Sequence, residues 1–218
     1  MVDPMHCFIT GTSTDVGKTY VTRLMLRALV AAGHPAVAYK PICCGSRADA
    51  QELLADSTPG ATLDEVNPLF LQSATAPFVA AQLENKSVDP DALAAGFHAL
   101  AARFGHVLVE GAGGWDVPMC PGKTMADLAV MLNLPVVVVV DNRLGALNHT
   151  ILTVNAIRAR GLTCAGLILN HLVDERDTAA ITNRTILEDW LNLPVLQDIL
   201  FEETATDPDW VRECLTGA

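Results

Sequence analysis

The chain has 218 residues, half of them hydrophobic and only 5% aromatic, with a formal net charge of -11. That length suits one domain whose core is Val, Ile, Leu and Ala, as expected for helices wrapped around a parallel sheet. The acidic balance excludes nucleic acid and anionic membrane as partners, because either would need a basic face.

Short apolar runs alternate with longer amphipathic stretches, the pattern of βαβ units. HCFIT (6–10) reads as a first strand, followed by a loop and a helix from about Lys18 to Ala32 that Gly33 caps. AVAYK (36–40) is a second strand, stopped by Pro41. Helical patterns appear around 49–55 and 90–103, separated by a loop region containing Pro and Thr. HVLVEG (106–111) is a third buried strand that ends on an acid. PVVVVVD (135–141) is a fourth, so apolar that both faces must be covered. A helix near 147–160, a fifth strand CAGLILN (164–170) and a short late strand PVLQDI (194–199) follow. With no repeat or linker, the expectation is a single α/β domain over 1–218: a doubly wound, mostly parallel sheet of P-loop NTPase-like type.

No secretion signal opens the sequence, and its longest strongly apolar run, Leu134 to Val140, contains Pro135 and is too short to span a bilayer. Cysteines at 7, 43, 44, 120, 164 and 214 form no C-x-x-C pair, and adjacent Cys43 and Cys44 would make an awkward disulfide. Packed thiols in a reducing, cytoplasmic setting are expected.

In such folds ligands gather at the carboxyl ends of the strands. GTSTDVGKT (11–19) sits there, with five residues between Gly11 and Gly17 where the usual phosphate loop has four. Its backbone N–H groups and the helix start favour anionic phosphate. Gly17 permits close approach, Lys18 neutralises β/γ oxygens, and the Thr19 hydroxyl can ligate magnesium. One ATPase group places a second lysine five positions before the main one. Here that position is Ser13, which speaks against a partitioning or metal-delivery ATPase.

Lys40, at the end of the second strand, brings another ammonium to the same rim. Glu110, at the end of the third and followed by glycines, suits a magnesium ligand. Asp49 is either a further ligand for that ion or the first turn of a helix. Trp115 either lines a substrate channel or covers the loop.

GTSTDVGKT, the YKP of 39–41, VEGAGGWDVP (109–118), LGALNH (144–149) and the Asn170 ending LILN occur together and in order. In this combination the chain resembles the dethiobiotin synthetase family from about residue 8 to 172. The resemblance implies a ring-closing ligase that uses ATP, magnesium and carbon dioxide or bicarbonate on 7,8-diaminononanoate, a step of biotin synthesis. A substrate carbamate would take the γ-phosphoryl group, and the second amine would then attack the mixed anhydride.

By the same resemblance Lys18, Lys40 and Thr14 are the catalytic residues. Asp15, Val16, Gly17, Lys18, Thr19, Tyr20 and Asn170 bind the nucleotide, with Asn170 on adenine. Thr19, Asp49 and Glu110 hold magnesium. Cys44, Leu147 and Asn148 contact the substrate, the last two across a homodimer interface that holds its carboxylate tail. Three positions depart from the family pattern. Cys44 replaces a common hydroxyl, the span from Lys40 to Asp49 is short, and Phe78 stands where a histidine often follows the proline. The alternative activity is a related synthetase that phosphorylates a different carboxylate.

Overall fold

Alternation along the strands builds the two layers. Residues 5–175, 177–204 and 211 are described in the computed structural model. The first half runs β1 (Met5–Gly11), α1 (Lys18–Ala31), β2 (Ala36–Tyr39), β3 (Ile42–Cys44), α2 (Ala48–Asp56), α3 (Leu63–Val66) and β4 (Leu69–Leu71). It continues with α4 (Pro77–Leu83), α5 (Pro90–Ala101), β5 (His106–Gly114), β6 (Pro118–Cys120) and β7 (Lys123–Thr124). The rest is α6 (Met125–Leu132), β8 (Val136–Asp141), α7 (Ala146–Ala159), β9 (Cys164–Asn170), α8 (Thr178–Leu191) and β10 (Val195–Ile199).

A six-stranded sheet in the order β10-β9-β8-β1-β5-β2 forms the centre. Every pairing in it is parallel, as anticipated. Val137 and Val139 of β8 join the layer under α1, while Val136, Val138 and Val140 join the layer under α5, α6, α7 and α8. All five are fully buried, so the run of valines is covered on both faces.

α1 ends in a Schellman motif. Gly33, at φ +80, donates its N–H to Val30, and the His34 N–H donates to Leu29. α5 begins at Pro90, where the Asp89 side chain accepts from the N–H groups of Asp91 and Ala92.

The region read as loop between the helices of 49–55 and 90–103 instead contains α3, β4 and α4. Two small sheets, β3-β4 and β6-β7, flank the main one. These pieces are too short for a hydrophobic period to emerge. β5 also runs on through the glycines to Gly114.

The described cysteines, 7, 43, 44, 120 and 164, are free thiols; Cys214 lies outside the described residues. Among the described residues no helix is long and apolar enough to cross a membrane.

Candidate active site

The phosphate loop takes its shape from two residues in the left-handed region. Asp15 (φ +58) and Gly17 (φ +87) both occupy the left-handed region, and Gly17 is the residue from which α1 starts. A β-carbon on Gly17 would sit 2.1 Å from the Asn170 amide nitrogen, so glycine is required by space as well as by φ. That amide donates to the Val16 carbonyl at 3.0 Å. Asn170, expected on adenine, is thus buried against the loop itself. The Tyr20 hydroxyl donates to the Glu203 carbonyl, closing the opposite side of the helix start.

Lys18 curls back so that its ammonium donates to the Ser13 carbonyl at 3.1 Å. Burial, reinforced by the nearby Lys40 charge, pulls its pKa down to about 8, against the opposing pull of Glu110, Asp15 and Asp49. Thr14 and Asp15 stay exposed at the tip of the loop.

Three expected residues meet at one carboxylate. On β5, Glu110 alternates with Leu108, which packs under α1, and so it points toward the start of that helix. Its Oε1 accepts from the Thr19 hydroxyl at 2.8 Å and from Lys40 Nζ at 2.5 Å. Lys40 Nζ also donates to the Gly111 carbonyl at 3.4 Å and lies 3.5 Å from Asp49 Oδ2. Burial opposes the Lys40 charge, but Glu110 and Asp49 outweigh it and raise the pKa. Asp49 sits in the first turn of α2 with its side chain half exposed, so it faces Lys40 and serves its helix at once. Glu110 itself is fully buried, and its second oxygen, Oε2, has no hydrogen-bond partner among the described residues.

A cleft of about 520 Å³ opens beside this cluster, lined by Thr14, Lys40, Cys44, Asp49, Ala112 and Gly113 among others. Cys44 is half-buried with its pKa raised by burial, then by Glu84; Cys43 beside it is pushed up to about 11, chiefly by burial. Neither is a ready thiolate. Phe78, on α4, is also half-buried.

Leu147 and Asn148, in the first turn of α7, do not line this cleft. A neighbouring cleft of about 420 Å³ lies between the loop, at Thr12 to Thr14, and α7, at Leu152 and Thr153. Trp115 lines this second cleft and packs edge-on against Phe8 of β1, with 4% of its surface exposed.

The main contacts invisible in the sequence lie behind Lys40, where Asn67 and Arg47 join its backbone to α2. The Asn-Pro pair at 67–68 signals a turn but nothing about its partners.

A family profile described as an AAA domain matches residues 6–208. A relative named ATP-dependent dethiobiotin synthetase BioD, from Akkermansia muciniphila, is 45% identical over 95% of this chain and 97% of its own length. Another of that name, from Aromatoleum aromaticum, is 39% identical over 90% of each chain. Among solved structures, the cell division protein FtsY of Thermotoga maritima superposes with a TM-score of 0.60 at 17% identity, over 99% of this chain and 70% of that one. The cell division ATPase MinD of Pyrococcus furiosus gives 0.59 at 16% identity, over 98% of each chain. At such identities the two structures speak for the P-loop fold alone.

Proposed function

Because this chain belongs to the ATP-dependent dethiobiotin synthetase family, we propose that it closes a ureido ring through the Lys18, Lys40 and Glu110 cluster. It is an ATP-dependent ligase of biotin biosynthesis. The observation that carries the site is the convergence of Thr19 and Lys40 on one buried carboxylate oxygen, at the mouth of the phosphate loop.

7,8-Diaminononanoate lies in the cleft beside Lys40, with Cys44 against its chain. One amine takes up carbon dioxide as a carbamate. A carbamate oxygen then attacks the γ-phosphorus and ADP leaves, giving a carbamic–phosphoric anhydride. The second amine attacks the carbonyl carbon, phosphate departs, and the amine proton is lost to solvent or phosphate. Lys18 and Lys40 flank the transferring group and offset its charge, and Thr14 closes over it from the loop tip. The work of the protein is positioning and charge neutralisation rather than covalent chemistry. Asp15, Val16, Gly17, Thr19 and Tyr20 surround the phosphates and the start of α1. Asn170, at the end of β9, keeps only its amide oxygen for adenine, because its NH2 is held by the Val16 carbonyl.

Magnesium fits the donor set. Thr19, Glu110 and Asp49 offer only oxygen, as a hard cation prefers, and the buried, unpaired Oε2 of Glu110 is an orphan acceptor. Among the described residues no group of three or more His, Cys, Asp or Glu could hold an ion unaided. Such a site suits an ion that takes its remaining ligands from nucleotide phosphates and water. When bound, the ion would neutralise phosphate charge.

A homodimer follows from the same premise, with Leu147 and Asn148 of α7 offered to the substrate tail of a second copy. That neither lines the cleft beside Lys40 within this chain supports that arrangement. A single domain over 1–218 and a cytoplasmic setting complete the proposal.

The test is phosphate release with ATP, magnesium and bicarbonate, with and without the diamine, followed by product mass. Diamine-dependent phosphate with a product heavier by one carbonyl is expected. Release that ignores the diamine would redirect the search to another carboxylate.

A further inference from the structure

Lys40 is gripped at both ends. Its ammonium meets Glu110 and Asp49, while its backbone is held by the turn that follows α3. The Lys40 N–H donates to the Val66 carbonyl at 2.8 Å, and Asn67 Nδ2 donates to the Lys40 carbonyl at 2.8 Å. The same Nδ2 reaches the Leu69 carbonyl at 3.2 Å. On its other side, Asn67 Oδ1 accepts from Arg47 Nε at 2.9 Å, and the Asn67 backbone carbonyl accepts from Arg47 Nη2 at 2.6 Å.

Arg47 is the residue from which α2 starts, two positions before Asp49. One fully buried amide therefore joins the strand end that carries Lys40 to the helix start that carries Asp49. A buried amide bonded on both sides has little freedom, because any shift leaves a polar group unpaired away from water. Neither Asn67 nor Arg47 lines the cleft, so whatever they contribute passes through the residues they hold.

We propose that Asn67, locked by Arg47, is a positioning residue for ring closure that fixes Lys40 and Asp49 relative to Glu110. The proposal rests on the catalytic role given above to Lys40. It extends the site to a brace that touches neither nucleotide nor diamine.

Asn67→Asp is the sharpest variant. It keeps the size and the acceptor for Arg47 but cannot donate to the Lys40 carbonyl. The expected result is a fall of about tenfold in kcat for ring closure, with the dissociation constant for ATP measured without magnesium changed by less than about twofold because the phosphate loop is untouched. In an Asp49→Asn background the same substitution should lower kcat much less, since both changes spoil one arrangement.

A merely structural asparagine would behave differently. Its kcat losses would add fully to those of Asp49→Asn, or ATP affinity measured without magnesium would fall in step with kcat; either result overturns the brace. Should Asn67→Asp fail to fold, Arg47→Ala, three-quarters buried but at the surface, gives the same readout. Lys40→Ala separates the two levels. Full activity in Lys40→Ala would remove the role of Lys40 itself. An inactive Lys40→Ala beside a fully active Asn67→Asp would remove only the brace.

Discussion

Lys18 and Lys40 enter the same cluster from opposite sides and meet opposite conditions. At the loop, the Lys18 ammonium has a backbone carbonyl for company, and burial, then the nearby charge of Lys40, pulls its pKa down to about 8. At the end of β2, Lys40 is more deeply buried, yet two carboxylates hold its charge and raise its pKa. For the first lysine, the pull of Glu110, Asp15 and Asp49 does not outweigh burial and the Lys40 charge, so an added phosphate has most to offer there. The second is neutralised in advance and can be held in place without substrate. Burial by itself therefore says little about a lysine; what faces it decides whether the charge waits for a ligand or is already spoken for.

The comparison breaks most visibly at the lysines themselves. Lys18→Ala is expected to lower kcat/KM for ATP by about a thousandfold, since in the proposed reaction it serves both binding and the transferring group. Lys40→Ala should leave ATP affinity nearly intact while kcat for ring closure falls about a hundredfold or more. Nucleotide titration beside steady-state kinetics tells the two apart, and identical profiles would erase the division between them.

Glu110→Ala strips Lys40 of its buried partner. A loss of up to about 3 kcal/mol in stability is expected, since only the half-exposed Asp49 and the Gly111 carbonyl then face the buried ammonium, read by denaturant unfolding. The same variant should also lose the magnesium dependence of nucleotide affinity. An unchanged magnesium titration would refute the ligand role.

Cys44→Ser exchanges a weak donor for a hydroxyl at the cleft wall. The diamine KM should fall by a few-fold, in keeping with about 1 kcal/mol for one hydrogen bond, with no change for ATP. A KM that stays put would mean the substrate chain does not use this position.

The smallest effect sharpens the contrast rather than breaking it. The folded pKa of Lys18 lies below that of an unfolded lysine, so the penalty for burying its charge is fully present below about 8 and is relieved as pH rises above that value. A bound anion pushes the pKa back up, so pyrophosphate binding near pH 8 should take up a fraction of a proton. Calorimetry in buffers of different ionisation heat reads that uptake. It should vanish in Lys18→Ala and shrink in Lys40→Ala, where one of the two causes that lower the Lys18 pKa is removed.

Much of this architecture was legible in residue order. The strands of the main sheet announce themselves because each is a short apolar run beside a longer helical period, and the phosphate loop because its glycines and lysine fall between strand and helix. Even Glu110 could be singled out, as an acid closing a buried strand. The small β3-β4 sheet and the helices α4, α6 and α8 were not named, since brief elements and mixed faces leave no clear period. Asn170 shows a different limit. A strand-end asparagine suggests a turn or a base contact, but its bond to Val16 joins residues 154 positions apart, and no local pattern encodes that. Asn67 and Arg47 are hidden for the same reason, twenty residues apart and joined only when α2 and α3 pack together.

The alternation of β5 has a consequence for how this protein can change. Glu110 reaches the start of α1 because it keeps step with Leu108, while Val107 and Val109 face the other layer. Replacing one aliphatic residue by another leaves that phase alone. Adding or deleting a single residue between His106 and Val109 would turn the carboxylate into the opposite core and separate it from Thr19 and Lys40. The strand is thus open to substitution and closed to changes of length, so variation in length among its relatives should fall in the connections around it.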